Sequence, residues 1–315
     1  MSSLPSAVAA SGLVASLFRW GRRLLKLLLT LLVLLLLLGA WMVLIEPRWV
    51  ARRDIEVTVR GWQGPAGLKV AVASDWHIGH EALKRVMTVA RATAIVQEIN
   101  AAEPDVILLP GDFMSGSGED GTTPEQIAAV LGGLKARHGV YAVLGNHDWW
   151  TDGPRFNQAL KAAGITVLLN ESVPLPGTTV WVVGIGDRVT AHSNAAAAVQ
   201  GLPPDAQTLT FMHDPASARQ LPKETGLSVA GHTHGGQVWI PFYGSIVAPH
   251  GWPRTRTYGW VPLARRDVYI TSGLGVSIYP ARLNMRPEWV MFTIKPAVRP
   301  DQTAGTPKRP DGQPA

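Results

Sequence analysis

The chain has no cysteine among its 315 residues. Disulfides, thiolate nucleophiles and thiolate metal ligands are excluded together, so any metal must sit on His, Asp, Glu or Asn. The absence does not assign a redox compartment, because a cysteine-free domain folds equally well in cytosol or periplasm. Basic charge is lacking where nucleic-acid binding would need it. Of the net charge of +6, residues 1–60 account for +5, with eight Lys and Arg against Glu46, Asp54 and Glu56. The tail adds the remainder, and residues 61–295 are near neutral. The basicity therefore belongs to a membrane flank attracted to anionic lipid, and no nucleic-acid partner is expected. Large apolar residues are almost missing from the tail, PAVRPDQTAGTPKRPDGQPA, so 296–315 cannot offset its ordering entropy and is expected to be disordered. No internal repeat is visible.

Apolar residues are abundant in one place. Leu27–Ile45, LLLTLLVLLLLLGAWMVLI, carries no charge over 19 residues, about the length that crosses a hydrocarbon core of roughly 30 Å. The following WMVLIEPRW offers no small-residue cleavage site, so the run reads as a retained anchor and not as a signal peptide. The expected organisation is a basic segment at 1–26, a transmembrane helix at 27–45, a juxtamembrane linker at 46–60, one domain at 61–295 and the tail. Arg19, Arg22, Arg23 and Lys26 precede the helix while Arg48, Arg52, Arg53 and Arg60 follow it. The tighter first cluster favours the N-terminus inside a bacterial cytoplasmic membrane and the domain on the periplasmic side.

Within 61–295 short apolar runs alternate with amphipathic stretches. LKVAVAS (68–74), DVILLPG (105–111), VYAVLG (140–145), ITVLL (165–169) and VWVVGI (180–185) read as buried strands. QTLTFMH (207–213), LSVAGH (227–232), VYITSG (268–273) and WVMFTI (289–294) continue the series, and 82–99 and 124–136 read as helices. An α/β layered domain is expected.

Five runs end in polar clusters: Asp75-Trp-His77, Asp112, Asn146-His147-Asp148, His213 and His232-Thr-His234. In open α/β sheets ligands gather outside the strand carboxyl ends. Two divalent ions need a bridging carboxylate and several N or O ligands. Asp112 suits the bridge; Asp75, His77 and His234 complete one ion, and Asn146, His213 and His232 the other. The glycines of GHTHGGQ (231–237) are expected to let the backbone turn sharply and to leave room for metals and a phosphate.

SDWHIG, PGDF, GNHDWW, FMHDP and GHTHGGQ, in this order and spacing, resemble the five motifs of the calcineurin-like metallophosphoesterases. The later YGW and GLGVSIYPARLNMRPEW resemble their membrane-anchored bacterial phosphodiesterase branch. The resemblance covers about 55–295. It implies a four-layer α-β-β-α sandwich, here preceded by one transmembrane helix, a dinuclear site on the ligands above, and phosphoester hydrolysis by a metal-bound hydroxide. It makes His147 the group that protonates the leaving oxygen or steadies the phosphoryl oxygens, with Asp148 placed to orient it. The hard ligand set admits Mn, Fe, Zn or Mg. Trp76 stands where the family usually has an aliphatic residue and is expected to alter the pocket wall.

Other residues carry weaker readings. Arg282 and Asn284 are candidate contacts for a phosphate or headgroup, against a salt bridge closing the domain. Arg254, with Arg256, Trp252 and Trp260, is a candidate rim facing lipid. Asp187 serves a turn or a substrate contact. His80, His138, His192 and His250 read as loop residues, with His80 nearest the motifs. The expected substrate is a lipid-linked or nucleotide-sugar-lipid phosphoester, such as a UDP-diacylglucosamine-type lipid A precursor, cut as a phosphodiester or pyrophosphate. Such a precursor is handled on the cytoplasmic side, in tension with the charge reading of topology. A phosphomonoesterase or protein phosphatase on the same site, and a catalytically silent scaffold, are the alternatives; oligomeric state is not legible.

Overall fold

The computed structural model describes residues 7–59, 62–79, 86–115, 122–222, 226–249, 251–263, 266–277 and 279–296. The expected disordered tail beyond 296, Arg60, His80 and His250 lie outside them. The elements in chain order are α1 (Ala7–Ala40), β1 (Ala51–Val59), β2 (Leu68–Val72), α2 (Val89–Ala101), β3 (Val106–Leu109), α3 (Pro124–Leu131) and β4 (Val140–Ala142). They continue with α4 (Asn146–Ala162), β5 (Thr166–Val167), β6 (Glu171–Pro174), β7 (Val180–Ile185), α5 (Ala195–Ala198) and β8 (Gln207–Met212). The rest are β9 (Gly226–Ala230), β10 (Trp239–Ile240), β11 (Gly244–Ser245), β12 (Gly259–Leu263), β13 (Arg266–Ile270) and β14 (Glu288–Pro296).

Two six-stranded mixed sheets face each other, in the orders β1-β14-β2-β3-β4-β5 and β12-β13-β9-β8-β7-β6. Side-chain alternation explains the layering. Val70, Val72, Val106 and Leu108 of the first sheet meet Val182, Leu209, Phe211 and Val229 of the second in an inner core. Their neighbours Ala71, Ile107 and Leu109 point outward and pack with Ile95 and Ile99 of α2, Ile127 of α3 and Phe156 of α4. On the far side Val183, Ile185 and Met212 pack with Ala195 and Ala198 of α5. Strands buried on both faces thus read as continuous apolar runs, and helices close both outer faces. Each large side chain so buried contributes about 1.5–3 kcal/mol.

Caps mark where the helices begin. Thr88 Oγ1 accepts the Arg91 N–H before α2, and Thr123 with Gln126 forms a capping box before α3, where Pro124 occupies the first turn.

Two expectations about the N-terminal region are corrected. The helix is longer than 27–45: α1 runs from Ala7 to Ala40, so Arg19, Arg22, Arg23 and Lys26 sit on it and do not form a separate segment. A π-turn, Trp41–Ile45, and a short 3-10 turn, Glu46–Arg48, end it at Pro47, which cannot donate to a continuing ladder. The span 15–48 is long and apolar enough to cross a membrane, and none of its most apolar stretch is buried in the protein. Residues 51–59 are not a linker. They form β1, paired in parallel with β14 from Ala51↔Glu288 to Val59↔Pro296, which the charge-rich ARRDIEVTV did not signal because an edge strand buries little.

Candidate metal centre

Every expected ligand follows the carboxyl end of a strand. Asp75 and His77 follow β2, Asp112 follows β3, and Asn146 and His147 follow β4, all in the first sheet. His213 follows β8, and His232 and His234 follow β9, in the second. The face-to-face packing brings these edges together, and the Asp75 carboxylate accepts the His232 backbone N–H at 2.9 Å across them.

The side chains fall into two groups, Asp75, His77, Asp112 and His234, and Asp112, His213 and His232, with the ligand atoms in each within 4.8 Å of one another. Asp112 belongs to both. Its Oδ2 lies 3.5 Å from His77 Nε2 and 3.3 Å from His213 Nε2. His77 Nε2 is 3.0 Å from His234 Nε2, His232 Nδ1 is 3.1 Å from His213 Nε2, and Asn146 Oδ1 is 3.0 Å from His213 Nε2. Converging imidazole lone pairs and carboxylate oxygens, with no thiolate, fit hard or borderline divalent ions. His213 Nδ1 lies 2.8 Å from the Pro110 carbonyl, to which it can donate only as Nδ1–H; that bond turns Nε2 toward Asp112.

The backbone is held for this purpose. Asp75, His77, Asp112, His232 and His234 all have positive φ, between 45° and 69°. Asp, Asn and His tolerate that region better than bulkier residues, yet each such non-glycine costs about 1–3 kcal/mol and persists only where the surroundings enforce it. Gly235 and Gly236 turn the backbone as expected, with φ of 61° and 75°, and other glycines leave room for the ligand side chains. A Cβ on Gly231 would come within 2.4 Å of Asp75 Oδ2, and one on Gly145 within 2.2 Å of Asp112 Oδ1.

Burial sets the protonation states. It pulls His77 down to about 3 and, with the neighbouring His213 charge, His232 down to about 4, and it holds His234 well below its ordinary value. These rings stay neutral, as ligands must. Burial pushes Asp75 up to about 6. Burial also opposes ionisation of Asp112 and His213, but their mutual attraction and hydrogen bond outweigh it, holding Asp112 well below and His213 well above the usual values.

His147 is partly buried on the open side of the site, its ring centroid 4.8 Å from that of His77 and 5.1 Å from Trp150. Its backbone N–H donates to Asp112 Oδ1 at 2.9 Å. A cavity of about 400 Å³ opens beside Asp112, His147 and His234, walled by Trp150, Pro249 and Tyr279. Among the described residues lining it there is no Lys or Arg.

Several readings are corrected. Asp148 does not orient His147; its carboxylate accepts backbone N–H groups of Asp112, Phe113 and Gly145. Arg282 does not reach substrate. It is fully buried, and its guanidinium donates to the carbonyls of Met285, Ser272 and Gly275. Asn284 donates to the Trp239 carbonyl at 3.2 Å, and Arg254 lies over the Tyr243 ring at 5.2 Å; neither lines the cavity. Trp76 is buried in the outer core with its indole N–H on the Ala73 carbonyl, so it forms no pocket wall. Trp252 is buried, its indole N–H on the Arg256 carbonyl, while Trp260 stays 43% exposed. Asp187 closes a turn, accepting the Thr190 N–H and hydroxyl at 2.7 Å each. His192 stacks on Trp149 with ring centroids 3.5 Å apart. Sequence reasoning missed Trp150, Gln237 and Tyr279 as lining residues; the first two stand inside GNHDWW and GHTHGGQ, where proximity to ligands was the available signal.

Residues 68–236 match the profile of the Calcineurin-like phosphoesterase family. Phosphodiesterase YaeI of Escherichia coli (strain K12) is 31% identical over 235 residues, covering 73% of this chain and 83% of that protein. The uncharacterized metallophosphoesterase YkuE of Bacillus subtilis (strain 168) is 26% identical, covering 73% and 79%. Among solved structures, the 5'-nucleotidase precursor from Thermus thermophilus is 17% identical with a TM-score of 0.42, covering 72% of this chain and 54% of that one. With its ligand groups sharing one aspartate at the edge of a two-sheet sandwich, the chain belongs to the calcineurin-like phosphoesterase family of metal-dependent phosphoester hydrolases.

Proposed function

We propose that this chain is a membrane-anchored phosphodiesterase or pyrophosphatase that uses two divalent ions on a lipid-linked phosphoester. The observation that carries the reading is Asp112, common to both ligand groups and lining the cavity. Two divalent ions in these groups supply Lewis acidity toward phosphoryl oxygens and make water more acidic. The protein's own residues do the rest. Asp75, His77 and His234 hold one position, and Asn146, His213 and His232 the other. His147, on the open side, moves a proton at the leaving oxygen. The lack of Lys and Arg among the described lining residues favours a diester, with one charge on each phosphorus, over the dianion of a monoester, and the apolar wall of Trp150, Pro249 and Tyr279 suits an acylated group. YaeI is named a phosphodiesterase, which supports the same reading.

We place the chain as a single-pass protein of a bacterial cytoplasmic membrane with the domain outside, on the strength of α1 and the basic cluster at 19–26. A reporter at the C-terminus, active on the cytoplasmic side only, overturns that orientation. The activity test uses the full-length protein in detergent, depleted of metal and then supplied with single divalent ions, on an aryl phosphodiester and an aryl phosphomonoester. Faster diester cleavage, lost in Asp112→Asn, is the expected result. Faster monoester cleavage replaces the reading with a phosphatase, and silence on both with ions bound means a narrow natural substrate or a scaffold.

A further inference from the structure

The stretch from Val238 to Pro249, VWIPFYGSIVAP, contains no Asp, Glu, Lys or Arg. It forms the hairpin β10–β11, with Trp239 opposite Ser245 and Ile240 opposite Gly244. A soluble hairpin points apolar side chains at a core, and this one does not. Ile240 is 41% exposed, Tyr243 52%, Ile246 44%, and Phe242 at the tip is fully exposed. Phe242 also has φ of 67°, a left-handed conformation that bulky residues rarely adopt, so the turn holds the ring outward at a backbone cost.

The position of the hairpin says what it meets. Ala281–Asn284 touches both the hairpin base and the end of the N-terminal helix. On one side, the Trp239 N–H donates to the Leu283 carbonyl, and the Leu283 N–H to the Gln237 carbonyl, each at 2.9 Å. On the other, the Arg282 N–H donates to the Met42 carbonyl at 2.9 Å. Buried Glu46 locks this junction, accepting the Met285 N–H at 2.7 Å and the Trp41 indole N–H at 2.8 Å. The point where the helix leaves the bilayer and the base of the hairpin are therefore joined through one short segment by directional bonds. Cations flank both: Arg254 stacks on Tyr243 and hydrogen-bonds its hydroxyl, and Arg286 lies 3.8 Å from the Trp49 ring centroid. Apolar aromatic tips beside arginine are the composition of an interfacial membrane contact, with rings among acyl chains and guanidinium groups at anionic headgroups.

We propose that the β10–β11 hairpin is a second membrane contact, whose Phe242 tip enters the interfacial layer of the bilayer that α1 crosses. This rests on the anchored reading above. It has a consequence for the substrate. Val247 and Pro249, just beyond the hairpin, line the cavity, and Trp150, on the same cavity, is 61% exposed. The contact holds the cavity mouth at the headgroup layer, where a phosphoester still embedded by its acyl chains reaches the site without leaving the membrane.

The absence of native cysteine makes the test direct. Full-length Phe242→Cys, Leu35→Cys and Asp205→Cys proteins are labelled with an environment-sensitive fluorophore and reconstituted in vesicles of phosphatidylethanolamine and phosphatidylglycerol. Some vesicles carry lipids spin-labelled near the headgroup, and others lipids spin-labelled deep in the acyl chain. Leu35 reports the helix, and exposed Asp205, ahead of β8 at the sheet edge away from the site, reports the solvent face. The expected result is blue-shifted emission and loss of fluorescence to shallow spin labels at 242, matched at 35 for deeper labels and absent at 205. Quenching at 35 with none at 242 overturns the hairpin contact and leaves the anchor standing. No quenching at 35 overturns the anchor, and the hairpin proposal with it. Blue-shifted emission at 242 without lipid quenching means a protein covers the tip, which also overturns the proposal. Ile240→Cys repeats the measurement should the tip variant not fold.

Discussion

Asp148 holds the loop that carries Asp112. Its carboxylate accepts the Asp112 N–H at 2.9 Å, the Phe113 N–H at 2.8 Å and the Gly145 N–H at 2.9 Å, so one buried side chain joins the loop after β3 to the start of α4. An amide at this position turns one acceptor into a donor facing donors. Asp148→Asn is expected to lose about 1–3 kcal/mol of stability and to bind metal more weakly, by the roughly 10–100-fold typical of lost outer supports. Denaturant titration and metal analysis of the same preparation check both, and unchanged metal content alongside unchanged stability contradicts the bracing role.

Asp112→Asn and His147→Ala separate the proposed shared ligand from the proposed proton donor. The first removes a charge that both ligand groups use, and metal binding is expected to weaken by about 100-fold or more. The second leaves both groups whole, so metal content holds while turnover falls by about 10²–10⁴-fold. Plasma emission spectrometry beside steady-state rates distinguishes them. A fully metallated, active Asp112→Asn protein contradicts the shared role.

Stability of the metal-free protein should decline as pH rises above about 7.5, one unit beyond the ordinary histidine value. In that window His77 and His232, at about 3 and about 4 when folded, and His234, held well below its ordinary value, are neutral in both states and contribute almost no slope. Burial opposes its protonation, but the paired Asp112 raises His213, which is protonated in the folded state at a pH where it is neutral when unfolded; that stabilisation is lost as pH climbs through its folded value. Divalent ions compensate the buried charge and abolish the decline. Urea midpoints at pH 7.5, 8.0 and 8.5, with and without chelator, test the sign.

Arg282 should behave as a structural residue. Its fork donates to Ser272, Gly275 and Met285 carbonyls with no exposed atom, and Lys cannot reproduce that geometry. Arg282→Lys is expected to lower the melting temperature, by several degrees for about 2 kcal/mol, while KM for a small phosphodiester is unchanged in the protein that remains folded. A raised KM with unchanged melting restores a substrate contact.

What the sequence determined was local. Five strands are apolar runs ending in polar clusters, and each run and its cluster are neighbours in the chain, so the seven candidate ligands and their strand-end positions were legible from SDWHIG, PGDF, GNHD, FMHD and GHTH. The uncharged run at 27–45 was legible for the same reason. Strand β1 was not, because an exposed edge strand lacks an apolar pattern and depends on β14, more than 200 residues later. The roles of Asp148, Arg282, Trp252 and Phe242 were likewise decided only in three dimensions. A carboxylate, a guanidinium or an aromatic ring has no fixed task in sequence. Its task depends on which distant backbone groups the packed sheets place within hydrogen-bond reach, and on whether the fold covers it or leaves it facing outward.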